Sequence, residues 1–285
     1  MASQGQFALA SWALPVPLLL ATILTAFLYL RGWWHLRSAS VQVISTWRAS
    51  SFFLGLLLIW VALGSPLAAL DEELLTVHMI QHLLLMTIAP ALLLLGAPMM
   101  PLLHGLPRQF VQAAGPLFRW PQLQGAGRLI TRPIFCWFAA TAALVGWHIP
   151  GAFRLALLWE PLHVVEHICF LGGGLLFWWP VIQPWPNVST GPRWSMLLYL
   201  FLATLPCDIL SGFLAFCDRV VYPAYISVPR RFGMTALQDQ QCAAALMWSC
   251  VTILYLVPAV MLTMQLLATR SFRGPGDSRL SKANT

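Results

Sequence analysis

The sequence contains few charged side chains and none of the short motifs that mark several common enzyme classes. Charged residues make up 9% of the 285 positions, against about 25% in soluble globular domains. We find no glycine-rich nucleotide-binding motif, no G-x-S-x-G, no C-x-x-C pair and no internal repeat. These absences argue against a soluble domain, a nucleotide-dependent enzyme, a serine hydrolase and a dithiol oxidoreductase. The spacing of the six cysteines leaves open whether Cys217 and Cys242 form a disulfide.

Long apolar runs dominate the chain instead. Hydrophobic residues make up 59% of the sequence, and the mean hydropathy is +0.75. A helix needs about 20 apolar residues to cross the roughly 30 Å hydrocarbon core of a membrane. The sequence therefore predicts an all-α, polytopic membrane protein, with a seven-transmembrane-helix bundle over 1–269 and a flexible cytoplasmic tail over 270–285. The predicted spans are 8–30, 50–69, 74–96, 133–150, 161–182, 194–217 and 240–267.

Positive charge is distributed unevenly between the two sides of the predicted bundle. Most of the 16 lysine and arginine residues fall in the loops after the first, third and fifth spans and in the tail. The positive-inside rule then places the N-terminus outside and the C-terminus in the cytoplasm. Contact between loop arginines and anionic lipid accounts for the net charge of +7. We therefore expect these charges to contact the lipid bilayer, and we expect no nucleic-acid partner.

Five of the seven histidines converge on the outer ends of three predicted spans. Two pairs have the i, i+4 spacing that places both side chains on one face of a helix. These pairs begin the third and fifth spans, and a single histidine ends the fourth. At 1.5 Å rise per residue, each would lie within about 15 Å of the outer surface. The five candidate metal ligands are His78, His82, His148, His163 and His167, whereas His35 and His104 fall in predicted cytoplasmic loops.

Acidic and sulfur-containing side chains accompany these histidines. Glu166 lies within the histidine pair of the fifth span, Asp208 lies about two turns below the outer end of the sixth, and Asp239 begins the seventh. An aspartate at the centre of a membrane helix costs roughly 2.5–3.5 kcal/mol, so such groups normally face the bundle interior. We expect these acids, together with Met86, to support the site or to form a proton path. Whether Glu166 binds a metal or orients a histidine stays open.

The residue types in this cluster restrict its chemistry. Imidazole suits copper, zinc and haem iron, and an i, i+4 histidine pair can chelate an ion from one helix face. Chains of Asp, Glu and His also mark proton and ion paths. The inner halves of the predicted spans contain almost no ionisable groups, which favours a one-sided site over a channel. The sequence therefore predicts an outward-facing metal site.

Several stretches of the sequence together resemble one known family. They are HMIQHLLLMTIAPALLLLGAP (78–98), GWHIP (146–150), HVVEHICFLGGGLLFWWPVI (163–182), YPAY (222–225) and DQQCAAALMW (239–248). In order and topology, from about residue 50 to 265, the chain resembles the seven-helix CtaG-type cytochrome c oxidase assembly factors. It departs from them at Ala91, where members often have proline, and in CAAA, where they often have glycine. Both departures leave the histidine positions intact.

The resemblance implies a non-enzymatic role in the maturation of a haem–copper oxidase. The implied activity is to deliver or retain copper for the CuB centre of subunit I, which lies in the outer part of the membrane. The implied partners are subunit I and a copper chaperone on the outer side, and the implied location is a bacterial cytoplasmic membrane. By the family motif, the leading metal-contacting positions are His78, His82, His163 and His167, with His148 next.

Two other functions remain open. A haem-binding membrane oxidoreductase would use one histidine from the third span and one from the fifth as axial ligands, with FLGGGLL (170–176) forming a pocket of small residues. A metal or proton transporter would need a polar route that continues past Met86 to the cytoplasmic face.

Overall fold

The computed structural model describes residues 15–38, 45–182, 192, 194–229 and 233–272, and these residues contain helices but no β-strand. Six helical segments of the described chain are long and apolar enough to cross a membrane, or seven if one bent pair forms a single span. Two of these segments, Thr46–Leu70 and Leu75–Leu95, each join consecutive helical elements. The prediction of an all-α, multi-pass membrane protein is therefore confirmed. The count of seven spans, the orientation of the termini and the division at residue 269 stay predictions.

The helices follow one another with short connections. A π-turn, Leu84–Ile88, joins α4 to α5, and a 3-10 turn, Pro223–Ile226, precedes the final helix. In chain order the α-helices are α1 (Val16–Ser38), α2 (Thr46–Gly64), α3 (Leu67–Leu70), α4 (Leu75–Leu83), α5 (Ala89–Leu95), α6 (Met99–Gly105), α7 (Arg108–Phe118), α8 (Pro121–Ile130), α9 (Pro133–His148), α10 (Pro150–Leu158), α11 (Glu160–Ile182), α12 (Trp194–Phe216) and α13 (Ala236–Phe272).

The first and last spans differ from their predicted bounds. The first was predicted at 8–30, but α1 continues to Ser38, and residues 1–14 lie outside the described part of the chain. Arg37 stacks over the ring of Trp33 at 5.0 Å from the ring centroid, which stabilises the last turn of α1. The predicted tail begins within α13, and its residues 273–285 lie outside the described residues.

The connection 97–132 contains the three short helices α6, α7 and α8, and a bend of 65° separates α8 from α9. Since α9 has 16 residues, its length of about 24 Å is less than the hydrocarbon core of about 30 Å. The predicted loop position of His35 is wrong, because it lies in α1, where its ring bonds the carbonyl of Arg31. His104 lies in the predicted connection between spans, on the short helix α6, where its ring bonds the carbonyl of Met100.

The segment from α4 to α5 lies at the centre of the bundle and is the most buried candidate span. Helix α4 packs against α13, while α5 and the π-turn pack against α2 and α11. Pro90 has no N–H to donate to the carbonyl of Met86, and a π-turn accommodates this loss. Gly174 of α11 faces that carbonyl so closely that a Cβ atom would overlap it. Glycine therefore allows α11 to pack tightly against the central segment.

Candidate metal centre

The structure brings together all five histidines that the sequence singled out. The ring centroids of His78 and His82 on α4 are 4.2 Å apart, and those of His163 and His167 on α11 are 4.3 Å apart. Between the helices, His78 lies 5.6 Å from His163, and His82 lies 6.0 Å from His167. His148 ends α9 at 6.4 Å from His82. Their role as metal ligands stays a prediction.

Glu166 of α11 lies in the middle of this cluster and is completely buried. Its Oε1 atom lies 3.9 Å from Nε2 of His78 and 3.7 Å from Nε2 of His82. Its Oε2 atom lies 3.9 Å from Nε2 of His163. These distances are too long for hydrogen bonds. Two ligand atoms that share one tetrahedral ion at about 2.0–2.1 Å lie about 3.4 Å apart, so an ion fits between these groups after a small adjustment.

Asp71, the first of three consecutive acidic residues before α4, also belongs to the cluster. Its Oδ2 atom lies 3.8 Å from Nε2 of His163. The side chain is buried, and this burial, followed by the neighbouring Glu72 carboxylate, raises the pKa of Asp71 to about 7. Ligand atoms of Asp71, His163 and His167 lie within 4.8 Å of one another, as do those of His78, His82 and Glu166. The cluster therefore contains two groups of metal-ligand type.

Buried polar atoms without a hydrogen-bond partner are concentrated in this cluster. Leaving such an atom unsatisfied costs about 1–3 kcal/mol, and native interiors contain few of them. A bound cation would satisfy the carboxylate oxygens and one nitrogen of each neutral imidazole ring, the nitrogen that carries the lone pair. The unpaired atoms of the cluster are both ring nitrogens of His78 and of His82, Nε2 of His148, His163 and His167, both carboxylate oxygens of Glu166, and Oδ1 of Asp71.

His148 is held in the orientation expected of a metal-ligating or hydrogen-bonding histidine. Its Nδ1 atom lies 2.7 Å from the carbonyl oxygen of Leu144, which can only accept a hydrogen bond, so Nδ1 is the donor. In the neutral ring, Nε2 then carries the free lone pair. This nitrogen is buried and unpaired, and His148 and His82 line the same small cavity.

Asp239 fixes the first turn of the helix that carries His78. Helix α4 has Leu74 at its N-cap position and no capping side chain of its own. The Asp239 carboxylate, which is completely buried, accepts hydrogen bonds from the backbone N–H of Leu75 at 2.8 Å and of Thr76 at 3.0 Å. It also accepts one from the Thr76 hydroxyl at 2.6 Å. Asp239 therefore acts on the site through α4.

The two tyrosines of the YPAY motif hold the backbone of two cluster residues. The hydroxyl of Tyr222 donates to the carbonyl of His148 at 2.9 Å, and that of Tyr225 donates to the carbonyl of Asp71 at 2.7 Å. Burial raises the pKa of both tyrosines, so both hydroxyls keep the proton that they donate. The motif gave no direct signal for this role, because it lies far in sequence from the residues that it supports.

The other predicted support residues lie outside the two ligand groups. Met86 lies in the π-turn and lines the cavity beside His82 and His148. Asp208 forms no ion pair with the histidines of the described chain, and its buried Oδ1 atom has no hydrogen-bond partner.

All six cysteines are free, so Cys217 and Cys242 are not bonded.

The glycine run that was considered as a haem pocket takes part in helix packing. An added Cβ atom at Gly173 would lie 3.5 Å from Ala140, and one at Gly174 would overlap the Met86 carbonyl. The cavity beside His82 and His148 has a volume of about 40 Å³, which suits water-sized occupants. Its other lining residues are mainly apolar and aromatic. This geometry favours an ion site over a haem slot or a polar route toward the other face.

A family model described as the cytochrome c oxidase caa3 assembly factor (Caa3_CtaG) matches residues 27–269. The matched range includes all five clustered histidines together with Asp71, Glu166 and Asp239. No curated protein and no solved structure matches the chain.

Proposed function

The chain belongs to the cytochrome c oxidase caa3 assembly factor family, and we propose that it binds copper within the membrane for insertion into the oxidase. In this proposal the protein delivers or retains the ion for the CuB centre of subunit I. Copper is the cargo of the protein, which acts as an assembly factor and not as an enzyme. Family membership implies an interaction with the oxidase, and the choice of subunit I as the contact is part of the proposal.

The buried group of His78, His82 and Glu166 carries the proposal. All three side chains are at most 5% exposed. Their facing nitrogen and oxygen atoms lack hydrogen-bond partners. Such a group is costly unless it binds a cation. His163, His167 and His148 surround this group and provide further imidazole nitrogens.

The donor set suits copper as a transferable ion. Imidazole nitrogens bind copper well, and Cu²⁺ exceeds the other divalent first-row metals in affinity for a given site of this kind. Structural zinc sites are commonly closed by four protein ligands, often thiolates. The present cluster is built from imidazole and carboxylate groups, and in this proposal they leave the coordination of the ion open to exchange. An assembly factor needs such exchange because it must release its cargo.

The predicted orientation gives the direction of transfer. With the N-terminus outside, the cluster faces the outer side of a bacterial cytoplasmic membrane. A copper chaperone on that side would supply the ion. The CuB centre lies in the outer part of the same membrane, so transfer would require no passage of copper across the bilayer.

The first test measures the metal content and absorption spectrum of the purified, detergent-solubilised protein. We expect copper by mass spectrometry, without a haem Soret band. His82→Ala and His167→Ala should each lower the copper content, because each removes a clustered imidazole. His104→Ala is the matched control, since this exposed histidine on α6 bonds only its own helix. It should bind as much copper as the wild type.

A second readout follows oxidase maturation in cells that produce these variants. His82→Ala and His167→Ala should abolish maturation while the protein remains inserted and abundant. Loss of the variant proteins themselves would instead assign the histidines a structural role. A Soret band would favour the haem-binding alternative. Absence of metal and haem, even after copper is offered, would contradict the proposal.

A further inference from the structure

We propose that the cluster holds two copper ions at separate positions, which the carboxylate of Glu166 bridges. The inner position is formed by His78, His82 and Glu166, and the outer position by Asp71, His163 and His167. This inference rests on the proposed copper function and extends it from a single site to an ordered pair. It also makes Asp71 a metal ligand.

The ligand atoms fall into two sets. Within each set, one atom per residue can be chosen so that all three lie within 4.8 Å of one another. The sets differ in exposure: the side chain of His163 in the outer set is 18% exposed, whereas those of His78 and Glu166 in the inner set are 0% exposed. The outer set is therefore the more accessible of the two.

Glu166 connects the two sets through different oxygen atoms. Its Oε1 atom faces both histidines of the inner set, at 3.9 Å from His78 and 3.7 Å from His82. Its Oε2 atom faces His163 of the outer set, at 3.9 Å. A carboxylate can offer one oxygen to each of two ions, and neither oxygen of Glu166 has a hydrogen-bond partner. In two-metal sites the ions lie about 3.5–4 Å apart, a separation that one bridging carboxylate can span.

Asp71 is held in place as a ligand and not as a solvated loop residue. It is 2% exposed, whereas Glu72 beside it is exposed. The Tyr225 hydroxyl fixes its backbone carbonyl, and its Oδ2 atom lies 3.8 Å from Nε2 of His163. Its Oδ1 atom is buried without a partner. A carboxylate buried in this way is costly to ionise without a positive partner, and an ion in the outer set would provide one.

The two positions give copper a path within the site. The outer position receives the ion near the surface, and the inner position retains it in full burial. In moving inward, the ion leaves Asp71 and the two histidines of α11 and gains the two histidines of α4. Glu166 stays bound to the ion throughout, through one of its two oxygens. The same steps in reverse return the ion to the surface for transfer to the oxidase.

The test titrates the purified full-length protein with Cu²⁺ in detergent and removes excess ion. Metal per chain is measured by mass spectrometry and spin coupling by electron paramagnetic resonance. We expect two copper ions per wild-type chain, with the half-field signal of a coupled pair. Asp71→Asn and His167→Gln should each bind one ion with an uncoupled signal. His82→Ala should also bind one, held in the outer position. Glu72→Gln, the matched control in the same loop, should bind a coupled pair.

The outcomes separate this inference from the copper function itself. One ion per wild-type chain, unchanged by Asp71→Asn, overturns the second position and leaves copper binding intact. Loss of both ions in Asp71→Asn and also in His167→Gln, with wild-type thermal stability, shows a single shared site and overturns the inference as well. No copper in the wild type overturns the proposed function, and the two-position inference with it.

Discussion

The two helices that carry the histidine pairs have the same spacing but different support. The α4 pair, His78 and His82, is 0% and 4% exposed, whereas the outer histidine of the α11 pair, His163, is partly exposed. Helix α4 depends on Asp239 of another helix for its N-terminal cap. Helix α11 has the exposed Glu160 in its own first turn. The i, i+4 spacing sets the geometry within a pair, and the surroundings decide whether the pair is fully buried or partly accessible.

Removal of the Asp239 cap should lower the stability of the protein more than the other changes considered below, because it unpairs the first turn of α4. Asp239→Ala deletes three hydrogen bonds to a buried carboxylate and leaves the N–H groups of Leu75 and Thr76 unpaired. We expect a loss of about 3 kcal/mol in the free energy of unfolding, measured by thermal unfolding in detergent, together with reduced copper content.

The exposed Asp218, in the loop after α12, provides the control for this change. Asp218→Ala should leave both the stability and the copper content unchanged. Equal stability of Asp239→Ala and the wild type would show that α4 does not depend on its distant cap.

A smaller effect is expected where the two histidine helices approach each other. Gly174→Ala places a methyl group against the Met86 carbonyl and pushes α11 away from the central segment. Overpacking of this kind costs about 2 kcal/mol, and the shift should weaken copper binding by separating the two pairs. Thermal unfolding and copper titration provide the measurements.

Gly172→Ala is the matched control on the same helix, since nothing lies within 4 Å of the added Cβ atom. It should be as stable as the wild type or more stable, because alanine favours helix over glycine by about 1 kcal/mol. If Gly172→Ala and Gly174→Ala have the same stability and the same copper affinity, close packing at Gly174 does not set the distance between the two histidine pairs.

The smallest effect is expected at the start of α11. Glu160→Gln removes an exposed negative charge from the positive end of the helix dipole. Such charges contribute about 0.5 kcal/mol at the surface and are screened by salt. The melting temperature should fall slightly at low salt and match the wild type at high salt. A loss of stability as large as that of Asp239→Ala would show that α11 depends on a carboxylate at its N-terminus as strongly as α4 does.

The convergence of the histidines could be predicted because it depends on two local rules. The i, i+4 spacing places a pair on one helix face, and the length of the apolar runs indicates where each pair enters the membrane. These two rules were enough to predict that the two pairs, His78 with His82 and His163 with His167, lie close together. The end of α1 could not be read in the same way, because Arg31 and Gly32 interrupt the apolar run although the helix continues to Ser38.

The roles of Asp71 and Asp239 could not be predicted from local sequence. Asp71 is followed by Glu72 and Glu73, and such a run usually indicates a solvated loop. In the structure the first of the three is buried, and the Tyr225 hydroxyl donates to its backbone carbonyl. Asp239 caps a helix that begins 164 residues earlier. A helix without its own capping residue indicates that a partner is needed, but not which residue provides it.

The cap from Asp239 also links the site to the order of synthesis. During translation α4 emerges well before α13, so the helix with the inner histidine pair is made without the carboxylate that completes its first turn. Only after α13 has been inserted can Asp239 accept the hydrogen bonds of Leu75 and Thr76. A nascent chain therefore holds its first histidine pair on an uncapped helix until its final described helix is in place.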